Sequence, residues 1–145
     1  EIGFNERGEA VYIELYNPSF KNISLDGYTI SDGVTFKFPA ATKLSAGGYL
    51  LVSANGNSDS RKEPVEFTWK ASKLKTPNGE ITIRGPKGKV LDKAKFSLDI
   101  MSSNDKLVSI ELIRPLANGE HTENWKVVGI GTPGKPNSSL LMELD

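Results

Sequence analysis

The chain reads as an all-β domain in which two antiparallel sheets pack as a sandwich, and three observations predict it. Residues 11–16 alternate, with Val11, Ile13 and Leu15 on one parity and Tyr12, Glu14 and Tyr16 on the other. That period of two marks a strand with one face buried and one face wet. Short apolar runs recur along the chain between Gly, Asn and Pro turns, as two packed sheets require. No window carries an apolar repeat at helical spacing over the roughly ten residues that a helix needs.

The elements follow in order. Residues 2–5 read as a short first strand, and Arg7-Gly8-Glu9 turns the chain into the 11–16 strand. Asn17-Pro18-Ser19 ends that strand, because proline has no amide hydrogen to donate and restricts its neighbours. A second strand is predicted over residues 23–30, with Leu25, Tyr28 and Ile30 as apolar contributors around Asp26-Gly27. Ser31-Asp32-Gly33 is a further turn. Phe36 and Phe38 share one face of a strand at residues 35–38, which stops at Pro39. After Gly47-Gly48, the near-continuous apolar run at residues 49–52 predicts a central strand. Residues 54–64 form a polar loop, beyond which Val65, Phe67 and Trp69 alternate with Glu66, Thr68 and Lys70. Residues 80–84 and 89–96 flank Gly85-Pro86-Lys87-Gly88 as a hairpin. A second polar loop covers residues 97–106. Residues 107–113 are a strand stopped by Arg114-Pro115, Asn118-Gly119 is a turn, and residues 125–128 are the last strand. The domain is expected to span residues 1–137, with residues 138–145 as a C-terminal tail.

Composition narrows the function classes. The 145 residues suffice for one domain with a real core. Eighteen basic and eighteen acidic residues cancel, so the total charge draws the chain neither to nucleic acid nor to an anionic membrane. Its apolar runs are far shorter than the roughly 20 residues of a membrane span. With no cysteine, disulfides, thiolate nucleophiles and thiolate metal sites are excluded.

The letter patterns that suggest chemistry each have a plainer reading. Gly129, Gly131 and Gly134 match G-x-G-x-x-G, but Pro133 and Pro136 follow where a dinucleotide site needs a helix, so the stretch is a turn. His121, the sole histidine, sits in a polar turn without a G-x-S-x-G elbow elsewhere, and is expected in solvent. One histidine without cysteine makes a poor zinc site. Asp26, Asp32, Asp59, Asp92, Asp99 and Asp105 lie mostly in predicted loops and form no EF-hand, which leaves loop-end calcium as an open alternative. No catalytic residue, cofactor or metal is assigned.

Several motifs, in order, resemble the lamin tail domain family. They are Tyr12-Ile13-Glu14-Leu15-Tyr16-Asn17, Leu25-Asp26-Gly27-Tyr28-Thr29-Ile30-Ser31-Asp32-Gly33 and Phe36-Lys37-Phe38-Pro39. Leu44-Ser45-Ala46-Gly47-Gly48-Tyr49-Leu50-Leu51-Val52, Gly88-Lys89-Val90-Leu91-Asp92 and Thr132-Pro133-Gly134-Lys135-Pro136-Asn137 complete the set. The resemblance is closest to bacterial members and implies an immunoglobulin-like sandwich, secreted or at the cell surface, serving as an accessory interaction domain. It marks Glu14, Asn17, Asp32, Asp92, Trp125, Pro133, Gly134 and Asn137 as structural motif positions. Glu14 shares a face with Tyr12 and Tyr16, either the solvent face or a binding face, and a structural hydrogen bond is expected of it. Asp92 shares parity with Val90, Ala94 and Phe96, which predicts an inward carboxylate bonded to a loop backbone.

The uneven charge is the strongest functional hint. Lys70, Lys73, Lys75, Arg84, Lys87, Lys89, Lys93 and Lys95 face only Glu80 and Asp92 within residues 70–95. The lysines of this cluster are candidate phosphate contacts, with Lys89, Lys93 and Lys95 on one strand face and Trp69 close in sequence. The competing reading is a lysine-lined edge strand that resists unwanted sheet pairing. Tyr12, Tyr16 and Trp69 are expected to be exposed, which would suit sugar stacking, while Trp125 belongs to the core. The expected function is a non-catalytic module binding a protein or surface partner. Nucleic-acid binding through the lysines is the alternative, and carbohydrate binding ranks below it.

Overall fold

In the computed structural model, residues 1–54, 67–69, 74–98, 108–129, 131 and 134–137 are described. The strands are β1 (Ile2–Phe4), β2 (Ala10–Tyr16), β3 (Ile23–Ser24), β4 (Thr29–Ser31), β5 (Phe36–Lys37) and β6 (Lys43–Leu44). They continue with β7 (Tyr49–Ala54), β8 (Phe67–Trp69), β9 (Asn78–Arg84), β10 (Val90–Ser97), β11 (Val108–Leu112) and β12 (Trp125–Val128). A single 3-10 turn, Thr122–Asn124, precedes β12. A six-stranded sheet runs β12-β11-β1-β2-β7-β8, a four-stranded sheet runs β10-β9-β4-β5, and β3 pairs with β6 alone.

The two large sheets meet through one core. Ile2, Phe4, Ile13, Val52, Ile110 and Trp125 of the first sheet cluster with Ile30, Ile81, Ala94 and Phe96 of the second. Phe4 and Phe96 touch edge to face across the gap, with ring centroids 5.5 Å apart. The sandwich is therefore as expected, with two departures. The predicted strand at 23–30 is broken at Gly27, whose φ of 74° suits a turn, so β3 and β4 enter different sheets. Strand β8 runs parallel to β7, so the six-stranded sheet is not wholly antiparallel. Short-range patterning cannot reveal strand direction, which depends on the connection between strands.

Bulges change two predicted faces. In β2, Phe4 pairs with Ala10 and Gly3 with Tyr12, so Val11 is the extra residue. Val11 joins Tyr12 and Leu51 in a second, smaller cluster instead of sharing the core with Ile13. In β10 the register shifts between Val90 and Asp92, leaving Val90, Leu91 and Asp92 all exposed. Beyond the shift Asp92 pairs with Ile83 as Ala94 does with Ile81, so it keeps the inner parity at an open end of the sandwich, where burial raises its carboxyl above the usual carboxylate range. Its Oδ1 accepts from the Lys93 backbone N–H at 2.8 Å.

Candidate interaction surfaces

The outer face of the six-stranded sheet was expected to be wet and is instead covered. Tyr12, Ser109 and Glu111 are fully buried there, and Glu14 is buried with them. The Tyr12 hydroxyl bonds the Glu1 carboxylate and lies 2.6 Å from Ser109 Oγ. Gly131 packs directly on these three groups, since a Cβ there would overlap Glu1 Oε1, Ser109 Oγ and Tyr12 OH. Gly134 donates its N–H to Glu14 Oε2 at 2.5 Å, and Asn137 donates its side-chain amide to the Leu112 carbonyl at 2.8 Å. The Glu14 and Gly134 motifs are 120 residues apart in sequence and meet in this one contact. Burial raises the Glu14 carboxyl from 4.5 to about 7, opposed by the amino-terminal ammonium and the Gly134 bond and helped by Glu1 and Glu111.

Asn17 closes the end of β2. Its Nδ2 donates toward the carbonyls of Lys21, Leu44 and Ser45, while its Oδ1 accepts from Ser19 N–H and Ser19 Oγ. A buried amide that serves two chain segments, residues 19–21 and 44–45, fixes how those loops stack. Asp32 adopts a positive φ of 74° and accepts from the Thr82 hydroxyl, tying its turn to β9. Trp125 lies in the core as expected, and its indole N–H donates to the Gly119 carbonyl at 2.8 Å. Gly119 also accepts from Lys95 N–H, so the residues before β12 cap the β10 edge. Together with the Asp92 bond to Lys93 N–H, this blocks the edge donors of β10 that an added strand would use.

The basic cluster disperses. Lys70 and Lys73 lie outside the described residues. Lys75 is exposed and its backbone forms an isolated antiparallel β-bridge with Glu9, whereas Lys87 and Lys89 are exposed in the connection between β9 and β10. Lys93 and Lys95 project from the outer face of the four-stranded sheet, but Lys93 is held by Glu80 at 2.6 Å. Trp69 is buried in the core, so it offers no ring to a base, and Tyr12 is likewise buried. Of the aromatics expected in solvent, Tyr16 alone is exposed, and it stacks on Tyr49 at 4.8 Å. His121 is exposed beside Glu123 at 3.3 Å. Among the described residues no group of three metal-ligating side chains converges, while Asp59, Asp99, Asp105 and Pro133 lie outside them.

A cavity of about 370 Å³ opens between the sheets where β1 begins, lined by Ile13, Leu15, Ile83, Leu91, Leu112 and Trp125 among others. Sequence reasoning missed both this opening and the buried Glu111. Glu111 alternates with Ile110 and Leu112, and by pattern alone it would be assigned to solvent.

The family's sequence model, described as Lamin Tail Domain, matches residues 1–97. The chain belongs to the lamin tail domain family. Domains of this family have an immunoglobulin-like fold, often mediate protein interactions and are generally non-catalytic. The match ends with the last residue of β10, yet β11 of this lamin tail domain pairs directly with β1 and β12 with β11, so both belong to the same sheet as β1 and β2. No curated protein matches the chain.

Proposed function

We propose that this lamin tail domain is a non-catalytic interaction module, an accessory unit of a larger secreted or cell-surface bacterial protein, which binds a protein or surface partner through its loops. One observation supports this reading above the rest. Among the described residues, the exposed large apolar side chains are Tyr16, Phe20, Val90, Leu91 and Leu116. Phe20 is fully exposed and Leu116 84% exposed, both in connections between strands. Tyr16 and Leu91 line the opening between the sheets, as does Pro115, the neighbour of Leu116. Exposed apolar side chains beside an apolar opening are what a partner covers. The bacterial setting rests on the likeness of the motifs.

The second reading is nucleic-acid binding, favoured by the exposed Lys87, Lys89 and Lys95. It is weakened by the Lys93–Glu80 pair and the buried Trp69. Two variants separate the readings: Phe20→Ser/Leu91→Ser/Leu116→Ser and Lys89→Glu/Lys93→Glu. Partner capture from the source organism should be lost in the first and kept in the second. DNA or RNA binding that falls steeply with salt and vanishes in the lysine variant would overturn the protein-partner reading.

A further inference from the structure

One end of the sandwich combines projecting apolar side chains with an excess of cations. Strands β2 and β11 are both antiparallel to β1, so they run the same way and finish together at Tyr16 and Leu112. The connections that follow them, residues 17–22 and 113–117, leave from this end. Phe96 of β10 meets Phe4 at the far end of β1, while Leu91 lies with Tyr16 and Leu112 around one opening, so the connection from β9 to β10 sits here as well. Lys135 joins them between Gly134, bonded to Glu14, and Asn137, bonded to Leu112. Phe20 and Leu116 stand out from these connections, the first fully and the second 84% exposed. Lys21, Lys87, Lys89, Arg114 and Lys135 are exposed around them, against the exposed carboxylates Asp26 and Asp92.

The Phe20 connection holds its shape without the Phe20 ring. Asn17 Nδ2 donates to the carbonyls of Lys21, Leu44 and Ser45, and Ser19 N–H donates back to Asn17 Oδ1. Lys21 N–H donates to Ser19 Oγ at 3.3 Å. In the adjoining turn between β6 and β7, Ala46 N–H donates to Asn22 Oδ1, Gly47 N–H to the Asn17 carbonyl and Gly48 N–H to the Ser45 carbonyl. Neither residues 17–22 nor residues 45–48 include an acid. Backbone groups paired in this way can leave water, because a polar group is costly in an apolar medium when it has lost its partner. A fixed loop thus presents a whole aromatic ring to solvent beside a cation.

We propose that this end of the domain docks on an anionic lipid bilayer. Phe20 and Leu116 enter the boundary between headgroups and acyl chains, and Lys21, Arg114 and the hairpin lysines meet the phosphates. The proposal rests on the reading of this domain as an interaction module and names the surface that it meets. Projecting apolar side chains flanked by cations are the composition of an interfacial anchor. Protein interfaces instead deplete lysine around their apolar centre. A nucleic acid would use the cations and could stack a base on Phe20, but it offers Leu116 nothing to enter.

The test is co-sedimentation with vesicles of phosphatidylcholine alone and of equal parts phosphatidylcholine and phosphatidylglycerol. The wild-type chain should bind the anionic vesicles and not the neutral ones. Phe20→Ser/Leu116→Ser should weaken that binding about 100-fold and Lys21→Gln/Arg114→Gln about 30-fold, with Tm unchanged in both. In Phe20→Trp, fluorescence should move to the blue on adding anionic vesicles and be quenched by brominated acyl chains. Failure to bind anionic vesicles, equal binding to both vesicle types, binding that survives Phe20→Ser/Leu116→Ser, or an unquenched Trp signal would each overturn the proposal. A protein or a nucleic acid bound in place of the vesicles would overturn it too, and in the first case the interaction module stands. If vesicles, protein and nucleic acid all fail to bind, that wider reading falls with it.

Discussion

Glu14 should make this domain less stable as pH rises through neutrality. Its carboxyl stands at about 7 in the fold against 4.5 for the ordinary group, chiefly because burial penalises the charge. Unfolded chains therefore release this proton at lower pH than folded ones. The stabilisation is complete below about 4.5, declines as pH rises from there, and is lost once pH passes about 7. At about 1.4 kcal/mol per pH unit, the span sets an upper bound of about 3 kcal/mol. For a domain of this size that corresponds to roughly 6–12 °C in Tm. The charged groups facing Glu14 are the amino-terminal ammonium, Glu1 and Glu111, with Tyr49 close enough to feel its charge. The assay is thermal unfolding from pH 4.5 to 8 for wild type and Glu14→Gln, whose amide carries no titration. Wild-type Tm should fall relative to the variant across this window, and a carbon-detected titration of Glu14 should have its midpoint near 7. Parallel Tm curves, or a Glu14 midpoint near 4.5, would refute the reasoning.

Two further outcomes follow from the polar contacts. Asn17→Ala removes the amide that joins residues 19, 21, 44 and 45, and should cost about 2–4 kcal/mol in denaturant unfolding. A loss below about 1 kcal/mol would show that water replaces those bonds. Gly131→Ala pushes a methyl group into Tyr12, Ser109 and Glu1, so it should lower stability by about 1–3 kcal/mol and loosen the Gly134 amide in hydrogen exchange. Unchanged protection of Gly134 would mean that residue 131 does not hold the covering segment down.

Sequence alone determined the class of fold and most of the strands. Alternation, turn residues and the ordered motifs are local properties, and the sandwich follows from them wherever the pattern is regular. The run at residues 49–52 lies inside the sheet as β7, and the hairpin around Gly85-Pro86-Lys87-Gly88 joins β9 to β10. Tertiary structure decided the faces. The bulge at Val11 took that residue off the core face, and the covering by Gly131 and Gly134 turned Tyr12 and Glu14 from wet residues into buried ones. The bulge at Val90–Asp92 took Val90 off the inner parity that Asp92, Ala94 and Phe96 keep. One extra residue shifts a period of two by half a cycle, and local pattern cannot show which residue is the extra one. Nor can it show what comes to lie on a sheet's second face. Glu14 looks like a solvent-facing acid in sequence, and the return of the distant Gly134 segment makes it an interior group.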